Sequence, residues 1–168
     1  MSRTPRQNVL MLSMKKHFLP ISLYLLPLFV SAQTSLPVYS QGYDPTQDPF
    51  ADDRAALKLA HETNRRVLIE VGGDWCRWCH VLDKFLDENQ QLREQLHRHF
   101  VILKVNVSEA NDNAEFMAGF PKPLGYPHMY ITEADGSIIF SKDTADLLEN
   151  SRYSVQRFQK FIDKWKLP

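Results

Sequence analysis

Cysteine is scarce in this chain. Two residues in 168 carry a thiol, and both fall within Gly72-Gly73-Asp74-Trp75-Cys76-Arg77-Trp78-Cys79-His80. That excludes a small domain stapled by disulfides, because two cysteines three positions apart close too short a loop to constrain an unfolded chain. An excess of positive charge is also missing. Basic and acidic residues number 20 each, and the first 32 residues hold four basic and no acidic ones. Without them the balance is 16 against 20, a net charge of −4. A nucleic-acid binder would show the opposite sign. There is no internal repeat and no low-complexity tract, so repeat architectures are set aside. The apolar run over residues 18–30 falls short of the ~20 residues that a spanning helix needs, and Pro20 and Pro27 interrupt it.

What is present begins with that run. Lys15 and Lys16 precede it, and Val30-Ser31-Ala32 follows with small side chains where a signal peptidase reads. Charged start, short apolar middle and small-residue exit describe a secretory signal over residues 1–32. Met14 directly before the lysines is a second plausible start, which would make residues 1–13 an over-called beginning. The implied destination is the periplasm or the exterior, with no stable span after cleavage. In an oxidising compartment cysteines pair. A pair that staples nothing is better explained by chemistry than by stability.

The mature chain has 43% hydrophobic residues overall to draw on, enough for a packed core. Residues 33–50 are polar and contain Pro37, Pro45 and Pro49, which reads as a linker or arm. The remainder, 51–168, reads as one domain. Ala56, Leu59, Ala60 and Thr63 recur at helical spacing over residues 52–65. Val67-Leu68-Ile69-Glu70-Val71 reads as a buried strand, broken by Gly72-Gly73. A helix is predicted from Cys76 to Glu88 with a continuation through 91–97, then a parallel strand over 100–107 and a short helix over 111–118. A proline-rich loop, residues 119–127, leads into a hairpin whose strands (128–132 and 137–140) flank an Asp-Gly turn. Val155, Phe158, Phe161, Ile162 and Trp165 form the apolar face of a last helix, with Ser154 as its cap. The order α-β-α-β-α-β-β-α predicts an α/β fold with a central mixed sheet flanked by helices.

Two chemistries use Cys-x-x-Cys at a strand-to-helix junction: dithiol exchange, and, when His follows, covalent haem attachment. The strands weigh against haem, since a haem carrier of this kind is more usually a small helical protein. Zinc is poorly served, because His97 and His99 are spaced too closely for a finger. No metal and no bound cofactor are implied.

The arrangement resembles the thioredoxin-like superfamily, and most closely its exported, DUF255-related branch with a Trp-Cys-x-Trp-Cys-His signature. The strand 67–71 runs into Gly-Gly-Asp-Trp and the cysteine pair. Glu70 lies six residues before Cys76, where thioredoxins carry a buried acid. Tyr126-Pro127 precedes the hairpin, where the family has its cis-proline. The terminal helix closes the fold, and the likeness covers residues 50–166. Glu in place of Asp, Arg-Trp between the cysteines and Tyr before the proline are departures from the common pattern.

The resemblance implies a thiol-disulfide oxidoreductase that reduces, forms or isomerises disulfides in protein substrates. Cys76 attacks as a thiolate, favoured by the helix start and by Arg77. Cys79, one turn later and more buried, resolves the mixed disulfide. Glu70, raised by burial, accepts the proton of Cys79. Tyr126 and Pro127 offer backbone to the substrate. Trp75 and Trp78, with Phe120 as an extension, suggest a docking surface for extended peptide, and His80 tunes Cys79. Partners would be cysteine-bearing substrates and a redox protein, with no nucleic acid and a monomeric enzyme. A non-catalytic module that keeps the fold for peptide capture is the alternative.

Overall fold

The computed structural model describes residues 36–168 together with Met1. The signal read over residues 1–32 lies outside the described residues. Helix α1, Pro49–Thr63, starts earlier than the apolar spacing predicts. Asp48 caps it by accepting from the Phe50 amide at 2.9 Å, and Pro49 occupies the first helical position, where a missing N–H costs nothing. The proline that looked like part of a linker is therefore a helix start. Asn64 ends the helix in the left-handed region at φ 50°.

Strand β1, Arg66–Gly72, runs parallel to β2, Phe100–Asn106, and antiparallel to β3, His128–Thr132. Strand β4, Ile138–Asp143, pairs antiparallel with β3, giving the order β2-β1-β3-β4. Gly136, at φ +86°, makes the hairpin turn that Asp-Gly predicts. Between β1 and β2 lie two helices rather than one with a continuation. Helix α2 is Arg77–Glu88 and α3 is Gln90–His99. The break is at Asn89, whose φ −120° and ψ 64° leave the helical region while its side-chain amide bonds the Phe85 carbonyl. The predicted helix over 111–118 shrinks to α4, Ala114–Met117, because Asn111 and Asn113 bend the chain before it. A two-stranded ribbon, β5 Leu148–Glu149 with β6 Arg152–Tyr153, carries no sequence pattern long enough to be predicted. Helix α5, Val155–Trp165, is capped by Ser154.

Alternation along β1 sorts the core into two layers. Val67, Ile69 and Val71 pack with Ala56 and Ala60 of α1. Leu68 faces the other way, into Leu82, Leu96, Phe158 and Ile162 from α2, α3 and α5. Glu70 shares the parity of Leu68, so it belongs to the α2 side. Its position is fixed by strand geometry, not by any preference of a carboxylate for the interior.

The segment before α1 is packed. Of the stretch read as a linker or arm, residues 38–40 form a 3-10 turn, and Tyr39, Ser40 and Tyr43 are buried. The Ser40 hydroxyl donates to the Ile102 carbonyl of β2, the edge strand. Tyr39 joins the α1-side core while Tyr43 joins the cysteines. Covering an edge strand removes a site for unwanted pairing.

Candidate active site around the Cys76–Cys79 pair

Strand β1 ends at Gly72 and a turn over 73–76 delivers the chain to α2, with the Cys76 amide bonded to the Gly73 carbonyl at 2.9 Å. Cys76 is the N-cap of α2 rather than its first helical residue. Its sulfur accepts from the Cys79 amide at 3.1 Å. Cys76 and Cys79 are joined in a disulfide with 5.3 Å between their Cα atoms. Cys79 is fully enclosed and Cys76 is 3% exposed, so the pair shows solvent only one small edge.

The close fit depends on Gly72. A methyl group there would lie 2.5 Å from the Cys79 sulfur and 3.0 Å from the Tyr43 ring. Both neighbours are buried, so neither can swing out into solvent. Gly72→Ala is expected to lower stability by about 1–3 kcal/mol through overpacking, read as a drop in the thermal midpoint of the oxidised protein. An unchanged midpoint would mean that the sulfur is not held where the structure places it.

Glu70 is 2% exposed. It accepts a hydrogen bond from the Tyr43 hydroxyl and lies opposite Lys104 in the β1–β2 register. The Lys104 ammonium pairs with Asp83 at 2.5 Å and sits 4.9 Å from the centre of the Tyr43 ring. Burial pushes the Glu70 carboxyl above its ordinary range; Lys104 and the Tyr43 bond pull it down without cancelling that effect. Lys104 is raised despite burial, because Glu70 and Asp83 both favour its charge. The Tyr43 phenol is pushed well above 10, first by burial and then by the Glu70 charge.

The other candidate residues divide between the two sides of the pair. Trp75 is 57% exposed, donates from its ring nitrogen to the Val107 carbonyl at 2.6 Å and meets Tyr126 edge to face at 5.4 Å. Tyr126 packs on the cysteines with Tyr43. The Tyr126-Pro127 peptide bond is cis, and the Pro127 carbonyl accepts from Thr144 at 2.7 Å. Trp78 is exposed and stands edge to face with Tyr153 at 6.0 Å. Arg77 shares a groove with Trp78, Val81 and Arg152, and the donor that reaches the Cys76 sulfur is the Cys79 amide instead. The His80 ring pairs with the Asp74 carbonyl at 2.8 Å. A haem link would need both sulfurs as thioethers, and here they are bonded to each other. Phe120 does not extend the exposed aromatic surface. It packs against the rings of Phe116 and Tyr130 in the α1-side core.

Three residues of the site had no part in the sequence reading. Lys104 was legible in principle, as a charge inside an apolar strand that pairs with β1. Asp83 lies one turn beyond Cys79 on α2 and needed only that helix to be drawn. Tyr43 had no local signal at all, since it comes from a polar segment 33 positions before Cys76.

A mixed four-stranded sheet, a cysteine capping the helix after its first strand, a second cysteine bonded to it one turn on, and a buried acid behind them define a protein of the thioredoxin-like disulfide oxidoreductase class. Within that class the chain belongs to the family described as Thioredox_DsbH, protein of unknown function, DUF255, whose family model matches residues 29–165. A solved disulphide isomerase from Xylella fastidiosa Temecula1 superposes with a TM-score of 0.62 at 28% identity, covering 77% of this chain and 96% of that one. Two curated relatives match shorter stretches. The uncharacterized protein B0495.5 of Caenorhabditis elegans is 35% identical over 57 residues, 34% of this chain and 8% of its own length. Spermatogenesis-associated protein 20 of Homo sapiens is 29% identical over 70 residues, 42% of this chain and 9% of its own length. The chain thus spans less than a tenth of those two proteins.

Proposed function

We propose that this chain is an exported thiol-disulfide oxidoreductase acting on disulfides of protein substrates, with Cys76 as the attacking and Cys79 as the resolving thiol. The carrying observation is the capping geometry. The sulfur of Cys76 already receives the Cys79 amide at the mouth of α2. In the reduced protein that amide and the helix start favour a thiolate at Cys76. Attack on a substrate disulfide joins Cys76 to one substrate sulfur and releases the other. Cys79 then attacks the Cys76 sulfur, restoring the internal disulfide and releasing the second substrate thiol. Glu70 takes up the proton that Cys79 must lose, and the raised proton affinity that burial gives it suits that task.

Trp75 and Tyr126 on one flank, and the Pro127 turn beside them, supply the surface for an extended peptide. Trp78 with the groove beside Tyr153 forms the other flank. Export rests on the signal pattern of residues 1–32. Among the described residues no helix is long and apolar enough to cross a membrane. A redox protein that resets the pair is the required second partner.

The test is trapping. A Cys79→Ser variant is expected to accumulate a mixed disulfide with a reducible substrate such as insulin, visible on non-reducing gels and lost on adding thiol. A chain that only captures peptides would leave no covalent adduct. The equilibrium potential of the pair sets the direction: a value near about −270 mV favours reduction and one near about −120 mV oxidation.

A further inference from the structure

We propose that Tyr43, carried on the arm before α1, is the proton relay between Cys79 and Glu70 in the resolving step. This rests on the dithiol reading above and assigns the path that the proton takes. The Tyr43 side chain packs in one buried cluster with the two cysteines, and its hydroxyl donates to Glu70. The methyl-sized space in front of Gly72 is bordered by the Cys79 sulfur at 2.5 Å and by the Tyr43 oxygen at 3.1 Å. The sulfur and the phenol oxygen thus border one small space, and the same oxygen holds the hydrogen bond to Glu70. A phenylalanine would fill this space equally well. A hydroxyl buried here costs free energy unless it is bonded, so the oxygen, not the ring, is the informative feature.

Glu70 also has a way out. It lines a cavity of about 200 Å³ together with Lys104, Asp83, Asp87, Arg93 and His97 among others. His97 is pushed down to about 4 by burial and the cations around it, so it is neutral at pH 7. An acid that holds a phenol and also lines a polar cavity can load a proton from the sulfur and pass it to solvent. The titratable groups facing Tyr43 come from every packed element: Glu70 on β1, Lys104 on β2, Asp83 on α2 and the neutral Tyr153 phenol on β6.

The step balances as follows. In the mixed disulfide the Cys79 S–H bond breaks and its proton passes to the Tyr43 oxygen. The Tyr43 O–H proton passes at the same time to the Glu70 carboxylate, so the phenol stays neutral. The electron pair left on Cys79 forms the bond to the Cys76 sulfur, and the bond from Cys76 to the substrate sulfur breaks. Its pair leaves on the substrate as thiolate. Concerted transfer suits a phenol held this far from ionisation.

The experiment uses the reduced protein and 5,5′-dithiobis(2-nitrobenzoate), which releases one coloured thiolate on attack by Cys76 and a second on resolution by Cys79. Tyr43→Phe is expected to leave the first phase within about twofold of the parent. It should slow the second about a hundredfold or more at pH 7, within the 10²–10⁴-fold range for general acid-base catalysis. The deficit should close as pH rises and Cys79 ionises unaided. Glu70→Gln should give the same pattern, and the double variant should be no slower than the slower single one, as for two groups on one path. A normal second phase in Tyr43→Phe beside a slow one in Glu70→Gln overturns the relay and leaves the acid's role standing. Multiplying losses in the double variant also overturn it. Absence of the first phase in the parent protein removes the dithiol reading and the relay with it. If Tyr43→Phe does not fold, the parent answers alone. Two protons in flight give a bowed dependence of the second phase on deuterium fraction, and a straight line overturns the proposal.

Discussion

Cys76→Ser removes disulfide exchange, with insulin reduction expected to fall by at least a thousandfold, the order of loss seen when a covalent nucleophile is deleted. Serine keeps the N-cap, because its hydroxyl oxygen can accept the same amide that now reaches sulfur. Helix α2 and the fold should survive, so the loss is chemical. No neighbouring group can substitute: Cys79 is fully enclosed behind the turn. Substrate capture by the exposed Trp75 and Trp78 should persist. That contrast separates an enzyme from a module that only holds peptides. Residual exchange above a hundredth of the parent rate would place the nucleophile elsewhere.

The second large effect is at Glu70. Glu70→Gln is expected to slow resolution by about 10²–10⁴-fold, the span for a positioned proton acceptor, while making the fold more stable at neutral pH. The two signs have one cause. In the fold, burial holds the carboxyl above the range it has in the unfolded chain. The folded state therefore keeps a proton that the unfolded state has already released. Stability declines as pH rises from the unfolded carboxyl's range through the folded one, and the full loss persists above it. Glutamine has no proton to lose, so it escapes this decline. The gain should be on the order of 1–3 kcal/mol, as for relief of an imperfectly satisfied buried polar group, and should vanish in acid, where Glu70 is protonated in both states. Denaturant melts at pH 4 and pH 8 check it. An equal effect at both pH values would mean that charge is not the reason.

Much of this architecture could be read from local patterns. Strand β1 announces itself by its apolar run and its Gly-Gly stop, and α5 by its spacing of Phe158, Phe161 and Ile162. The misplacements are local as well. Pro49 reads as linker until Asp48 is seen to cap a helix, and the link between α2 and α3 depends on one residue, Asn89. Such boundaries turn on a single backbone angle, which composition does not encode.

The site divides along the same line. Spacing alone put two cysteines one helical turn apart after a strand, because three intervening bonds of chain and a helix start leave little choice of geometry. It also placed an acid in that strand. What surrounds the acid came from elsewhere. Lys104 meets Glu70 through the register of two strands separated by 34 positions, and Tyr43 arrives with an arm that crosses the sheet edge. Such neighbours are set by the packing of whole layers, whose free energy is summed over the core rather than written in any short stretch. Local sequence determined which thiols lie together; only tertiary packing decided which groups stand around them.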